Sequence, residues 1–391
     1  WYPESQTWAK AYEMMSCLDG LLELYRVTGK PDYFEAVEAI YERLLEAEYN
    51  TVFSVGFNDI FGHAANKINA ASEPCDVIHW LRVSYELYML TGKSRYLDLF
   101  ELAFYNSFLA GVYRDGKWGS RGVRSAGRHI TALQQAGFTK NHCCVNNLPR
   151  GFMNMAQAIA VQGKDGIYLN LFSEAEVTLQ APDGKPVHIR IGGDYLQHGL
   201  AEIEIDSASA QPVPLFIRIP AWSVETSVRM NGQSHAATAG EYLKTTLVPG
   251  ATQVKIQFDR TPALCEFPHE LEEYGPKHWA IQRWTLGASD SVSYVPPERM
   301  ATKRMSTLRV GPLLLARSKR IGNTVEEMFG GKTVCGKNYQ CKVTPSPLPN
   351  VRCGFQVEFV SPDDRFSTPM CDYASAGNEI LEDEAHFSIY V

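Results

Sequence analysis

The chain has 391 residues, of which 45% are hydrophobic and 21% charged, with a formal net charge of −7. That length can bury a large core spread over two or three domains, and no apolar run approaches the roughly 20 residues of a membrane-spanning helix. Charges of both signs are interspersed and leave no basic face for a phosphate backbone, which argues against nucleic-acid and membrane partners and in favour of a neutral ligand.

The chain opens Trp1-Tyr2-Pro3 without a basic-then-apolar leader, so a targeting segment is read as absent or removed, and localisation stays open between cytoplasm and periplasm. Over residues 7–27 the apolar residues Trp8, Ala11, Tyr12, Met15, Leu18, Leu22 and Tyr25 recur at helical spacing, and Gly29 follows as a stop signal. Pro31 suits a helical first turn, and Phe34, Val37, Ile40, Tyr41, Leu44 and Leu45 form the next apolar stripe. A helical hairpin results. Its pattern returns downstream: Glu23-Leu24-Tyr25, Thr28-Gly29-Lys30 and Tyr33 reappear as Glu86-Leu87-Tyr88, Thr91-Gly92-Lys93 and Tyr96, seven identities at an offset of 86 − 23 = 63.

Repeated hairpins bury their faces against one another. The long connection over 50–71 marks a functional loop, so the spacing predicts a toroid of α-hairpins with such loops at one mouth. A further helical pattern runs from about Leu148 to Val161, and the helical part is expected to end near Gly163. Beyond Lys164 the period becomes two: Ile203 and Ile205 alternate with acidic residues, Val254, Ile256 and Phe258 with Lys255 and Gln257, and Asn231-Gly232 is a hairpin-turn signal. The predicted organisation is a helical domain over 1–163, a β-sandwich over 164–295 and a second β-module over 296–391, with Pro296-Pro297 as the boundary between the last two.

Nine cysteines is an odd count, with none of the dense spacing of a small secreted domain. Cys335, Cys341, Cys353 and Cys371 are read as ordinary thiols because no CxxC accompanies them, a disulfide or second metal site being the alternative. Cys143-Cys144 is the most unusual local feature. Both side chains can meet one metal only where the backbone is irregular, as before the helix near Leu148; a thiolate is both metal ligand and nucleophile. A buried thiol beside a core thiol is the plain alternative. Glu73-Pro74-Cys75 adds a carboxylate and a thiolate just before a helix beginning near Asp76, although Glu73 alone would read as a capping or solvated carboxylate. Together these residues offer Cys3Glu, a four-donor set suited to Zn2+. His142 beside the pair, and His63 and His79 near the other half, are candidates to orient ligands or hold hydroxyls, each with a satisfied structural role as its alternative.

Glu73-Pro74-Cys75, then His142-Cys143-Cys144-Val145-Asn146-Asn147 with Arg150, then Gly166-Ile167-Tyr168, resembles glycoside hydrolase family 127, the β-L-arabinofuranosidase family. Phe216-Ile217-Arg218-Ile219-Pro220-Ala221-Trp222, Val228-Arg229-Met230-Asn231-Gly232 and Val310-Gly311-Pro312-Leu313 are similar to its β-modules. The resemblance implies an (α/α) toroid followed by β-sandwich modules. It also implies a retaining hydrolase that releases L-arabinofuranose or a related sugar from a carbohydrate substrate. Cys143 would be the nucleophile, and Glu73, Cys75 and Cys144 would share zinc with it. The segment Gly56-Phe57-Asn58-Asp59-Ile60-Phe61, two residues shorter than in the family, puts Asp59 in the acid/base role; several of the family's sugar-holding histidines are expected in a portion outside this sequence, and His63 and His142 are read as substrate contacts from their position beside the two halves of the site. Val145-Asn146 stands where the family has two prolines. The helices number about half of the family's toroid, so a partial, open toroid is expected, from a longer protein. A zinc-stapled carbohydrate-binding or scaffold protein and a polysaccharide lyase are the other classes such an architecture admits.

Overall fold

The computed structural model describes residues 10–57, 60–68, 71–118, 121–127, 130–131, 143–267, 271–274, 280–286, 289–295, 299–325, 333–378 and 385–391. Its N-terminal part is built from helices α1 (Ala11–Thr28), α2 (Pro31–Ala47), α3 (Pro74–Thr91), α4 (Arg95–Ala103, continued by a π-helical turn, Phe104–Phe108) and α5 (Cys143–Ile159). Several β-sheets follow.

The two hairpins predicted to be equivalent are equivalent down to their hydrogen bonds. Gly29 and Gly92 both adopt φ 68°, a left-handed conformation that costs glycine least, and their N–H groups bond the Tyr25 and Tyr88 carbonyls at 2.8 and 2.7 Å. Thr28 Oγ1 donates to the Leu24 carbonyl at 2.6 Å, and Thr91 Oγ1 donates to Leu87 at 2.7 Å. α1 packs on α3 and α3 on α5, while α2 backs α1 and α4 backs α3. The cross-contacts Ser16 with His79 and Arg26 with Glu86 show that α1 and α3 run parallel. Between the layers lies a fully buried aromatic core, in which Tyr41 stacks on Trp80 at 4.4 Å and 8°.

The 50–72 connection is ordered by its ends. Asn50 Nδ2 donates to Ser72 Oγ at 2.8 Å, while Asn50 Oδ1 accepts from the Val52 and Ser54 N–H groups. Gly56 has φ 85°, and a Cβ there would come within 3.0 Å of Asp76 Oδ2, so the loop lies directly on the first turn of α3.

α5 begins at Cys143, five residues before the predicted start. Pro149 lies inside it rather than in its first turn. Proline lacks the N–H that would bond the Val145 carbonyl, and the Trp118 indole Nε1 supplies that donor instead, at 3.0 Å.

The first β-unit pairs a four-stranded sheet, ordered Tyr242–Leu247, Val213–Arg218, Ile167–Leu169, Ala160–Gln162, with a six-stranded antiparallel sheet that includes Gly250–Gln257, Leu200–Ser207 and Pro186–Gly192. Asn231 (φ 47°) and Gly232 (φ 81°) form the expected turn of its hairpin. The C-terminal sheet takes its first strand from Pro262–Glu266, which pairs with Ser306–Val310. It therefore draws on chain well before Pro296-Pro297, a pair that lies outside the described residues. Its edge strand Gln340–Pro345 approaches Pro262–Glu266, so the sheet curls toward a barrel.

Arg218, fully buried, ties the sandwich to α4. It bonds the Asn170 carbonyl at 2.8 Å, Asp98 at 2.7 Å and Glu101 at 2.9 Å, and Glu101 also accepts from Trp222 Nε1 and the Tyr195 hydroxyl. No described helix is long and apolar enough to cross a membrane.

Candidate metal centre and active site

The parallel packing of α3 and α5 brings their first turns together. Glu73 is the residue before α3, Cys75 lies in its first turn, and Cys143 and Cys144 open α5. The Asp76 carboxylate accepts from the Glu73 N–H at 3.2 Å and fixes the start of α3. One donor atom from each of Glu73, Cys75, Cys143 and Cys144 lies within 4.8 Å of the others, and among the described residues no other His, Cys, Asp and Glu group is so placed. None of the nine cysteines is in a disulfide.

Cys144 Sγ is 3.9 Å from Cys75 Sγ and 3.8 Å from Cys143 Sγ. A tetrahedral ion with metal–sulfur bonds of about 2.3 Å has sulfur–sulfur edges of about 3.8 Å. Cys143 Sγ is 3.9 Å from Glu73 Oε1, and the Cys144 thiol hydrogen-bonds the same oxygen. The donor set and these two sulfur–sulfur separations fit a four-coordinate thiolate site. Burial, followed by the Glu73 charge, pushes the Cys143 thiol up to about 12. Cys144 is held far higher by its contact with Cys75, by burial and by Glu73. For Cys75 the Cys144 hydrogen bond pulls down, but burial and Glu73 win and the thiol ends above its ordinary value. Three thiols crowded this closely around a carboxylate keep their protons until a divalent cation compensates the charge.

The two neighbouring cysteines differ in exposure: Cys144 is fully buried, whereas Cys143 is partly open to solvent. Asn147, one turn into α5, donates from Nδ2 to Cys75 Sγ at 3.2 Å. It was quoted in the motif without a role, and only the folded pairing of α3 with α5 reveals one. His63 stands exposed in a left-handed conformation (φ 58°), where its backbone N–H donates to Glu48 Oε1 at 2.7 Å, and its side chain is not one of the four donors. Asp59 and His142 lie outside the described residues. The residues flanking Asp59 are placed, however: Phe57 and Ile60 form an antiparallel bridge, and Ile60 bridges Lys10 at the start of α1.

The architecture is one of helical hairpins whose first turns carry a Glu/Cys3 cluster, followed by β-sheets, and comparison with known proteins assigns it to a class of glycoside hydrolases. Residues 4–157 match the model of the β-L-arabinofuranosidase GH127 catalytic domain, and residues 166–259 match that of its middle domain. The chain belongs to glycoside hydrolase family 127.

Similar solved structures include a GH127 β-L-arabinofuranosidase from Geobacillus stearothermophilus T6 (16% identity, TM-score 0.68), with 98% of this chain and 60% of that one covered. A protein described as a glycoside hydrolase (15%, 0.70) is covered to 66%, and a GH127 β-arabinofuranosidase (16%, 0.69) to 60%, each by 98% of this chain. At these identities the likeness shows the fold, and the chain spans about two thirds of their length or less. No curated protein sequence matches the chain.

Proposed function

We propose that this chain carries the catalytic centre of a retaining glycoside hydrolase that uses Cys143 as nucleophile and releases L-arabinofuranose or a related sugar from a glycan or glycoconjugate. The observation that carries this reading is the four-donor cluster with one sulfur partly exposed and its neighbour buried. A purely structural site has no reason to present one ligand to solvent. Glu73, Cys75, Cys143 and Cys144 would hold Zn2+, which when bound keeps the thiolates ionised and compensates their charge.

Cys143 Sγ attacks the anomeric carbon as the bond to the leaving oxygen breaks, and Asp59 gives its proton to that oxygen. The sugar is then held through a C1–S bond. Asp59 next takes a proton from water, the water oxygen bonds C1, and the C1–S electrons return to Cys143, so two inversions give retention. Asp59 is assigned by its segment, whose flanking residues sit against the starts of α1 and α3. Cys75 and Cys144, both buried, act as spectators that hold the nucleophile in place. His63 and His142 are assigned to sugar hydroxyls by their position in the sequence beside the two halves of the cluster.

The test is turnover of aryl glycosides by the complete protein. Cys143→Ser is expected to abolish it, and mass spectrometry of wild type with a slow substrate should show the Cys143 peptide heavier by one glycosyl residue. Undiminished hydrolysis by the serine variant rules out the nucleophile.

A further inference from the structure

The seam between α1 and α3 carries polar side chains that the mechanism does not use. Down α3 from Cys75, His79 and Arg82 follow on the same face, about 6 and 10.5 Å along the axis at a rise of 1.5 Å per residue. Side chains on a helix lean toward its N-terminus, here toward the cluster. The 63-residue offset makes Tyr12, Ser16 and Asp19 on α1 the counterparts of Cys75, His79 and Arg82. Ser16 Oγ is 3.3 Å from His79 Nδ1. Asp19 Oδ2 is 2.9 Å from Arg82 Nε and 3.6 Å from His79 Nδ1, and the Tyr12 ring lies 5.8 Å from that of His79. The Tyr12 hydroxyl is pushed up to about 12, first by burial, then by Glu13.

These residues do not form a nucleophile relay, which needs hydroxyl and carboxylate on opposite ring nitrogens. Both approach Nδ1 most closely, and Ser16 donates to the Tyr12 carbonyl at 3.0 Å. What they leave over is hydrogen-bonding capacity. Asp19 is only 6% exposed, yet its Oδ1 has no hydrogen-bond partner among the described residues. A buried carboxylate oxygen without a donor is costly. Arg82 meets Asp19 through Nε, keeps its two terminal amino groups for other partners, and has a side chain 39% exposed.

We propose that Tyr12, Ser16, His79 and the Asp19–Arg82 pair form the hydroxyl-recognising wall of the sugar pocket, where one ring hydroxyl of a neutral sugar donates to Asp19 Oδ1 and accepts from Arg82. This rests on the reading of Cys143 as nucleophile, which sets the anomeric carbon at the upper end of the wall.

The experiment is a cycle between protein and substrate on the zinc-loaded complete protein, using an aryl glycoside it hydrolyses and the monodeoxy forms of that glycoside. Removing the hydroxyl that Asp19 binds should lower wild-type kcat/KM by about 10- to 100-fold, the range of a hydrogen bond to a charged group. In Asp19→Asn the same removal should cost little. Arg82→Gln, at a more exposed position, gives a second cycle if Asp19→Asn folds poorly. Calorimetric binding of the released monosaccharide should weaken in both variants while zinc content stays at the wild-type level. Losses that simply add for every deoxy substrate overturn the wall and leave the nucleophile intact; failure of wild type to hydrolyse any neutral glycoside removes both readings.

Discussion

Asn147→Leu tests whether the Glu/Cys3 cluster is a metal site tuned by its surroundings. Asn147 is 8% exposed, and its Nδ2 lies 3.2 Å from the sulfur of Cys75, itself fully buried. The amide donor favours the thiolate, opposing the burial and the Glu73 charge that hold Cys75 above its ordinary value. A hydrogen bond to an ionised group contributes about 1.5–3 kcal/mol, which corresponds to a loss of roughly 10- to 150-fold in zinc affinity. That range overlaps the 10–100-fold typical of groups that support metal ligands. Leucine fills a similar volume without a donor. Asn147→Asp should bind more weakly still, because it sets a carboxylate against three thiolates. The assay is competition with a chromogenic zinc chelator at fixed pH, with the thermal midpoint of each metal-free variant as the control for folding. If the leucine variant holds zinc within about twofold of wild type while folding normally, the Asn147–Cys75 bond has no part in the site.

One zinc per chain is expected by elemental analysis, and chelation should lower the thermal midpoint, since an ion at a thousand times its Kd adds about 4 kcal/mol to the native state; an unchanged midpoint refutes a bound structural cation. Arg218→Ala leaves Glu101 charged and fully buried, so about 3–5 kcal/mol should be lost in denaturant titration. Stability within about 1 kcal/mol of wild type would show that the Trp222 and Tyr195 donors suffice for Glu101. Trp118→Phe strands the Val145 carbonyl and should cost about 1–3 kcal/mol, and that cost should shrink in Pro149→Ala, which restores the helix's own donor; equal costs in both backgrounds remove the proposed compensation.

What the sequence made legible was chemistry that is local. Gly29 and Gly92 end helices wherever their neighbours are, and Asn231-Gly232 turns a hairpin by its own backbone preference. The members of the Glu/Cys3 cluster were legible by count and type, because three cysteines and a glutamate near two helix starts read as one donor set. The start of α5 was not. Pro149 leaves the Val145 carbonyl without its helical donor, and only the folded chain brings the indole 31 positions upstream that replaces it. The strand Pro262–Glu266 joins the C-terminal sheet through a partner more than 40 residues away, so no local feature marked that boundary. Arg218 sat in an apolar strand pattern, and only the folded chain brings Asp98 and Glu101 to it. Asp19 and Arg82 were hidden for the same reason: apart, each is an ordinary helical charge.

The internal repeat explains why the chemistry gathers at one end of the helices. Seven of the ten identities between the hairpins fall in 23–33 and 86–96, the last turns of α1 and α3, the links that follow and the first turns of α2 and α4; Leu18/Leu81, Glu38/Glu101 and Ala47/Ala110 are the others. There the left-handed glycine gives its N–H to the tyrosine carbonyl and the threonine hydroxyl bonds the leucine carbonyl, so the same local cap closes both helices. At the opposite end the counterparts are unlike: Tyr12 faces Cys75 in the alignment, Ser16 faces His79, and Asp19 faces Arg82. The first turns of a helix tolerate such divergence because their N–H groups have no intrahelical partner to lose, and those same N–H groups and the helix dipole favour the anionic form of a thiol placed there. Parallel α1, α3 and α5 put three such ends side by side. One hairpin then supplies Glu73 and Cys75 of the Glu/Cys3 cluster and the other the polar residues Tyr12, Ser16 and Asp19 beside it, both built on the same helical scaffold.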